Sequence, residues 1–349
     1  MKLATVIGPD GLPQIGALFG GDKSVALLQA GLVALEGAPA PHFASMLAFL
    51  KAGAEAQYKA YVVQDFVASK APEGTMMPAA STTFLSPLPV PESIRDAMAF
   101  EEHIINSIRT AGLGPFARLD ETIEKWFGRR RSIAGLANRE WYKRPIYYKG
   151  NRFSVVGNGA VIRMPAYTKQ FDYELEWGVV IGKGGRDIPL ASARDHIAGY
   201  TIFNDFTARD VQMSEMKGRL GPAKGKDFDT GNAIGPWLVT ADEIPDPYNL
   251  TMTARVNGEE WSRGSTGDMY WTFEKIISYI SRSETLYPGE FIGSGTCSGR
   301  LGKGSGLELG RTLKAGDVVE LEVERIGILQ NRIAPPPTTR APRRGARKR

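Results

Sequence analysis

The stretch that most constrains this chain runs from Phe171 to Gln212, FDYELEWGVVIGKGGRDIPLASARDHIAGYTIFNDFTARDVQ. Its first part alternates with the period of a β-strand, so Leu175, Trp177, Val179 and Ile181 share one face while Glu174 and Glu176 share the other. A second β-rich run, Tyr200 to Phe206, delivers Asp205 after a connection rich in Gly, Asp and Pro, and strands so joined commonly pack side by side. Three carboxylates then converge. Like charges a few ångströms apart repel, and they stay ionised together only when a cation neutralises them. All-oxygen ligation suits Mg²⁺, Mn²⁺ or Ca²⁺ rather than zinc. The plainer alternative is that Glu174 and Glu176 line the wet face of a half-buried antiparallel strand. The polar run Asn204 to Asp210, placed directly after an apolar strand, moves the balance toward a ligand site.

At 349 residues the chain can bury a sizeable core. Its formal charge of +5 points to no partner, because residues 335–349, PPPTTRAPRRGARKR, hold six basic residues and no acid; the rest of the chain carries a net −1. Nucleic-acid binding is therefore not expected, and the tail reads as disordered. No apolar leader opens the sequence and nowhere do 18 apolar residues run together, so neither secretion nor a membrane span is expected. The single cysteine, Cys297, cannot form an internal disulfide, which fits a reducing, cytoplasmic setting. With no base beside it, Cys297 reads as a small core residue rather than a nucleophile.

The first 87 residues read as a small N-terminal domain. They offer strands at Lys2 to Ile7 and Gln14 to Phe19, a helix from a capping Asp22 to Leu35, and a second helix from Phe43 to about Lys70; His42 falls in a proline-flanked surface turn. Ser86-Pro87-Leu88-Pro89-Val90-Pro91 is a stiff connector, and a larger unit occupies 88–334. There Ser93 to Arg109 reads as a helix on which Asp96 and His103, seven residues apart, share a face. Residues 111–145 read as a helical excursion with a solvated basic face, or as a lid over an anionic substrate. Beyond Ile146 short β runs prevail, and none of the Gly-rich turns fits a phosphate-binding fingerprint.

From about Pro87 to Gly327 the chain resembles the fumarylacetoacetate hydrolase superfamily, in particular its fumarylacetoacetase-like branch. The residues that carry the resemblance are Asp96 with His103, Tyr148-Lys149-Gly150, Glu174-Leu175-Glu176, Asn204 to Asp210 with Gln212, Gly225 to Thr230, Met269 to Thr272, Gly295-Thr296 and Leu307-Glu308-Leu309. The resemblance implies an α+β fold with a mixed β-roll catalytic domain, and a homodimer. It implies a metal, Mg²⁺ with Mn²⁺ or Ca²⁺ as alternatives, held by Asp96, Glu174, Glu176 and Asp205, with Lys226 and Thr230 near it. It further implies that His103, oriented by Glu308, activates water, that Lys226 and Gln212 add donors where charge develops, and that Tyr148 and Thr296 contact substrate. Arg209 and Asp210 read as supports for the turn that aims Asp205.

Two departures alter the expected acyl-binding end. Met98 stands where the fumarylacetoacetase branch has a tyrosine, and Gly112 where it has an arginine, a role that Arg109 could take over. The expected activity is hydrolysis of a C–C bond in a diketo or 2-oxo acid of aromatic or related catabolism. A 2-oxo acid hydratase, decarboxylase or dehydratase is the alternative within enzymes, and a catalytically silent metal- or ligand-binding protein the alternative outside them.

Overall fold

In the computed structural model, which describes residues 1–336 and only the backbone of Ala111, the strand Leu175–Ile181 is buried at all seven positions. It runs through the middle of an 11-stranded sheet, hydrogen-bonded on one side to Ile197–Asp205 and on the other to Phe291–Gly293. Ile94–Ala97 adds in parallel beyond Phe291–Gly293, and Tyr147–Gly150 forms that edge. In the opposite direction Ile197–Asp205 pairs with Asn232–Thr240, which pairs with Lys2–Ile7; the sheet then continues through Pro13–Phe19, Ser24–Leu27 and Met76–Pro78. A second, five-stranded sheet contains Glu259–Ser265, Thr251–Val256, Val318–Val323, Gly327–Ala334 and Val161–Arg163.

The alternation in the central strand sorts its side chains between two cores. Leu175, Trp177, Val179 and Ile181 enter one with the second sheet, where Trp177 stacks on Tyr200 at 5.3 Å and meets the edge of Phe273 at 4.9 Å between centroids. Val180, on the other face, joins Phe203, Ile234 and Phe291 against Leu3, Phe49 and Leu50 of the N-terminal region. Both faces are therefore covered, and a wet face for Glu174 and Glu176 is excluded: they are 4% and 0% exposed. The fold is α+β with large mixed sheets.

The first 87 residues extend this sheet through the Lys2–Ile7 to Asn232–Thr240 pairing and cover its far face with helices. Their local structure departs from expectation at three points. Asp22 does not cap a helix but sits at φ 65° in a turn; Ser24–Leu27 is a strand, and the helix is Leu28–Glu36, because Val25, Ala26 and Leu27 find buried sheet positions. The expected 43–70 helix is two, Met46–Ala52 and Ala54–Lys70, broken at Gly53 with φ 66°. His42 is half-buried, edge-on to Phe43.

A fourth correction bears on function. Ser93 to Arg109 is not one helix: Ile94–Ala97 is a strand buried at every position, and the helix begins only at Glu101 and ends at Ser107. Asp96 and His103 come from two elements. The following excursion carries the helices Ala117–Phe127 and Ile133–Ala137, and its basic residues are not merely solvated: Arg129 pairs with Glu102 at 2.6 Å and Glu124 at 2.8 Å. Among the described residues no helix is long and apolar enough to cross a membrane. Of the basic tail expected at 335–349, only residues 335 and 336 lie within the described residues.

Candidate active site

Three strands of the large sheet, with the residue just before one of them, bring four carboxylates together. Glu176 lies on the central strand, Glu174 just before it in an isolated bridge to Ser305, Asp205 ends Ile197–Asp205, and Asp96 stands opposite Gly293 on Ile94–Ala97. Each offers an oxygen within 4.8 Å of the others, and all four are buried. Glycines make the approach possible. A Cβ on Gly293 would stand 2.5 Å from Asp96 Oδ1, and Gly295, at φ 74°, lays its N–H 3.0 Å from Asp96 and 3.1 Å from Glu176.

The electrostatics ask for a cation. Burial, followed by the charge of Asp205, pushes Asp96 up to about 8; burial and the charge of Asp96 raise Glu176 well above the carboxylate range. Asp205 rises to about 6 because burial outweighs the nearby Lys226 ammonium. Glu174 goes the other way: burial is opposed by Lys226 and Arg209, which hold it well below its ordinary value. Lys226 Nζ donates to Glu174 at 2.5 Å and also to Asp205, and Arg209 Nη1 lies 2.7 Å from Glu174. Were all four ionised, Lys226 and Arg209, the latter shared with Asp172, would not balance their charge. Glu176 Oε1 and Asp205 Oδ1 are also buried without a hydrogen-bond partner. Orphaned acceptors of this kind are costly, and both facts fit one divalent ion on an all-oxygen donor set.

Beside the cluster, His103 on the helix Glu101–Ser107 faces Glu308 on the short helix Gly306–Leu309, with Nδ1 3.1 Å from Oε2. Glu308 is 2% exposed and is held from three segments: Ser298 Oγ reaches both its oxygens at 2.8 and 2.9 Å, Ser305 Oγ donates at 3.0 Å, Gly304 N–H at 3.2 Å and Asn106 at 3.3 Å. Burial alone would raise its pKa, but the charge of His103 and these donors bring it below the ordinary value. An ionised Glu308 fixes the proton on His103 Nδ1 and leaves Nε2 as the basic nitrogen.

The remaining expected residues divide. Tyr148 donates its hydroxyl to Asp205, and Lys226 is a permanent cation whose pKa is raised: burial works against its charge, but Asp205 and Glu174 outweigh it. Thr296 is buried in the loop after Gly295. Gln212 accepts from Arg209 Nη1 at 3.1 Å. Thr230 lies at φ 69°, an unusual conformation for a β-branched residue, and its hydroxyl accepts from Arg163 N–H at 3.1 Å. Arg109 is not free to replace the missing arginine, because its guanidinium is committed to Asp120 at 2.8 Å and to Glu124. Asp210 holds a turn through Thr168 Oγ1 and Lys169 N–H. Cys297 is buried with its thiol pKa raised by desolvation, as suits a core residue.

Sequence reading missed Ser298, Ser305, Asn106 and Asp172. Asp172 was within reach: it lies two before Glu174 in the alternating run. Two surface clefts of about 510 and 460 Å³ lie at the N-terminal helices and their seam with the sheet, and neither is lined by any of these residues.

A family model described as "Fumarylacetoacetate (FAA) hydrolase C-terminal" matches residues 128–334, more than half of the chain. The chain belongs to the fumarylacetoacetate hydrolase family. It is 39% identical over 191 residues to "Oxaloacetate tautomerase Fahd2a, mitochondrial" of Rattus norvegicus, a stretch covering 55% of this chain and 59% of that protein. Fumarylacetoacetate hydrolase from the psychrophilic Exiguobacterium antarcticum is similar over 96% of this chain and 100% of its own, with TM-score 0.70 and 26% identity. Maleylpyruvate hydrolase from Sphingobium sp. SYK-6, solved with manganese(II) and pyruvate, shares the fold at TM-score 0.65 and 19% identity, over 96% of this chain and 100% of that one. Family members thus include tautomerases as well as hydrolases.

Proposed function

We propose that the protein is a divalent-metal-dependent hydrolase that cleaves a C–C bond between carbonyls of a diketo or 2-oxo acid, of fumarylacetoacetate or acylpyruvate type. The observation that carries this reading is the His103–Glu308 pair, a general base with its tautomer set by a buried, multiply held carboxylate, beside a four-carboxylate cluster. Asp96, Glu174, Glu176 and Asp205 would hold the ion, with Mg²⁺ expected from the hard oxygen donors and Mn²⁺ or Ca²⁺ as alternatives. When bound there it supplies Lewis-acid polarisation of the substrate carbonyls. His103 Nε2 takes a proton from water, and the oxygen attacks the acyl carbonyl. The C–C bond electrons leave toward the ketone-bearing fragment as its enolate, which a proton then quenches, so a carboxylic acid departs with a 2-oxo acid from an acylpyruvate or a 3-oxo acid from fumarylacetoacetate. Lys226 places a fixed positive charge where negative charge grows, and the Tyr148 hydroxyl, donated to Asp205, orients that carboxylate. A homodimer belongs to the same reading.

One observation favours a second reading. The 39% identity to a protein named for oxaloacetate tautomerisation suits the same residues to proton transfer at carbon alone, with His103 taking the Cα proton of the keto form as the carbonyl oxygen gains one, and no carbon–carbon bond breaking. Incubation of the Mg²⁺-loaded protein with acylpyruvates, fumarylacetoacetate and oxaloacetate, with diketone absorbance followed and products identified, tests both. Two fragments from a diketo acid are expected. Keto–enol exchange of oxaloacetate with every diketo acid left intact would establish the second reading and overturn the first.

A further inference from the structure

The two halves of the site are joined by a buried ion pair. Asp172, 1% exposed at the end of the strand Phe171–Asp172, accepts from the Gly306 and Leu307 amides at 2.8 and 2.9 Å. These are the first amides of the short helix that carries Glu308. Its N-cap, Ser305, makes no side-chain cap and spends its hydroxyl on Glu308 instead, so Asp172 caps that helix from 134 residues away in sequence. The same carboxylate accepts from Arg209 Nε at 2.7 Å, and Arg209 Nη1 in turn reaches Glu174 Oε1 at 2.7 Å. Arg209 is 3% exposed, and its planar fork sets the two carboxylates in one fixed relation. The chain of contacts runs Glu174, Arg209, Asp172, the Gly306–Leu309 helix, Glu308.

We propose that Asp172 and Arg209 are positioning residues that mechanically couple the candidate metal cluster to the His103–Glu308 base, so that a change at either is felt at the other through this bridge. The proposal rests on the reading of the cluster as a metal centre and of His103–Glu308 as its base. Coupling between two sites is reciprocal, so it can be read from metal binding alone, without substrate.

The experiment is a Mn²⁺ titration by calorimetry of the parent, Glu308→Gln, Asp172→Asn and the double variant, with folding checked by circular dichroism. Glu308→Gln is expected to change the Mn²⁺ dissociation constant by roughly 3-fold or more in the parent and to have little effect in the Asp172→Asn background, the non-additivity expected of coupled residues. Arg209→Lys, which keeps the buried charge but loses the fork, is expected to abolish the coupling in the same way, and it stands in if Asp172→Asn does not fold. On whichever substrate is turned over, Asp172→Asn at saturating Mn²⁺ is expected to lower kcat about 10-fold with KM changed less than about 3-fold, the split expected when a group acting in the transition state is misplaced. An equal effect of Glu308→Gln with and without Asp172 would show that the two centres sense each other through space, and would overturn the bridge. Absence of Mn²⁺ binding by the parent would instead overturn the metal reading itself.

Discussion

At the scale of single residues the site is set by charge. Asp96 and Asp205, raised to about 8 and about 6, keep protons in the folded metal-free chain that an unfolded chain releases near their ordinary value of 3.8. The native state therefore binds more protons than the unfolded state across that window, and stability falls as pH rises through it. Glu174 and Glu308, held below their ordinary 4.5, act in the opposite sense: their stabilisation is present above about that pH and is lost in acid. The melting temperature of the metal-free protein is thus expected to decline from about pH 5.5 to about pH 8, and saturating Mn²⁺ to remove the decline; a melting temperature that climbs over this range without metal would contradict the placement of these protons. Asp205→Asn is expected to weaken Mn²⁺ binding by about 10-fold or more while the chain stays folded, since one charged ligand is lost, and unchanged calorimetric affinity would remove Asp205 from the centre. Glu174 and Glu176 are legible from sequence because they stand at alternate positions of an otherwise apolar strand, and Asp205 because it ends a second β-run, whereas the parts of Asp96 and Glu308 follow from the family resemblance. Ser298 and Asn106 are not legible, because they reach Glu308 only when segments far apart in the chain close around it.

At the scale of elements, the reading succeeded where periodicity is strict and failed where burial overrides it. The faces of Leu175–Ile181 follow from alternation, and its pairing with Ile197–Asp205 from the turn-rich connection between them. Ile94–Ala97 reads as part of a helix because Asp96 and His103 stand two helical turns apart, yet its four residues are all buried and it completes the sheet between Phe291–Gly293 and Tyr147–Gly150. That strand can lie where it does only because Gly293 lacks a side chain. Gly293→Ala would force a Cβ to within 2.5 Å of Asp96 Oδ1 and 3.0 Å of Phe203. It is expected to lower stability by about 1–3 kcal/mol, the usual cost of overpacking, and to weaken Mn²⁺ binding along with it. A parent-like isotherm for Gly293→Ala would show that Asp96 tolerates displacement and is no ligand.

At the scale of the whole molecule, the N-terminal 87 residues close the face of the sheet opposite the main core, so the proline-rich connector that reads as a boundary joins two parts of one sheet. Composition could not reveal this, because the pairing of Lys2–Ile7 with Asn232–Thr240 spans more than 200 residues. Removal of residues 1–87 would expose Val180, Phe203, Ile234, Leu238 and Phe291, an apolar patch of the sort that drives aggregation. The truncated protein is expected to be insoluble or to melt well below the parent, and a soluble, parent-stable 88–349 chain would mark that segment as an independent domain. The proposed chemistry turns on whether one histidine moves the proton. The deciding measurement is steady-state turnover of an acylpyruvate by His103→Ala beside its Mn²⁺ isotherm. A loss of roughly 10²- to 10⁴-fold in kcat, the range of a general base, with Mn²⁺ still bound and the site saturable is the predicted result; turnover at the parent rate would contradict it.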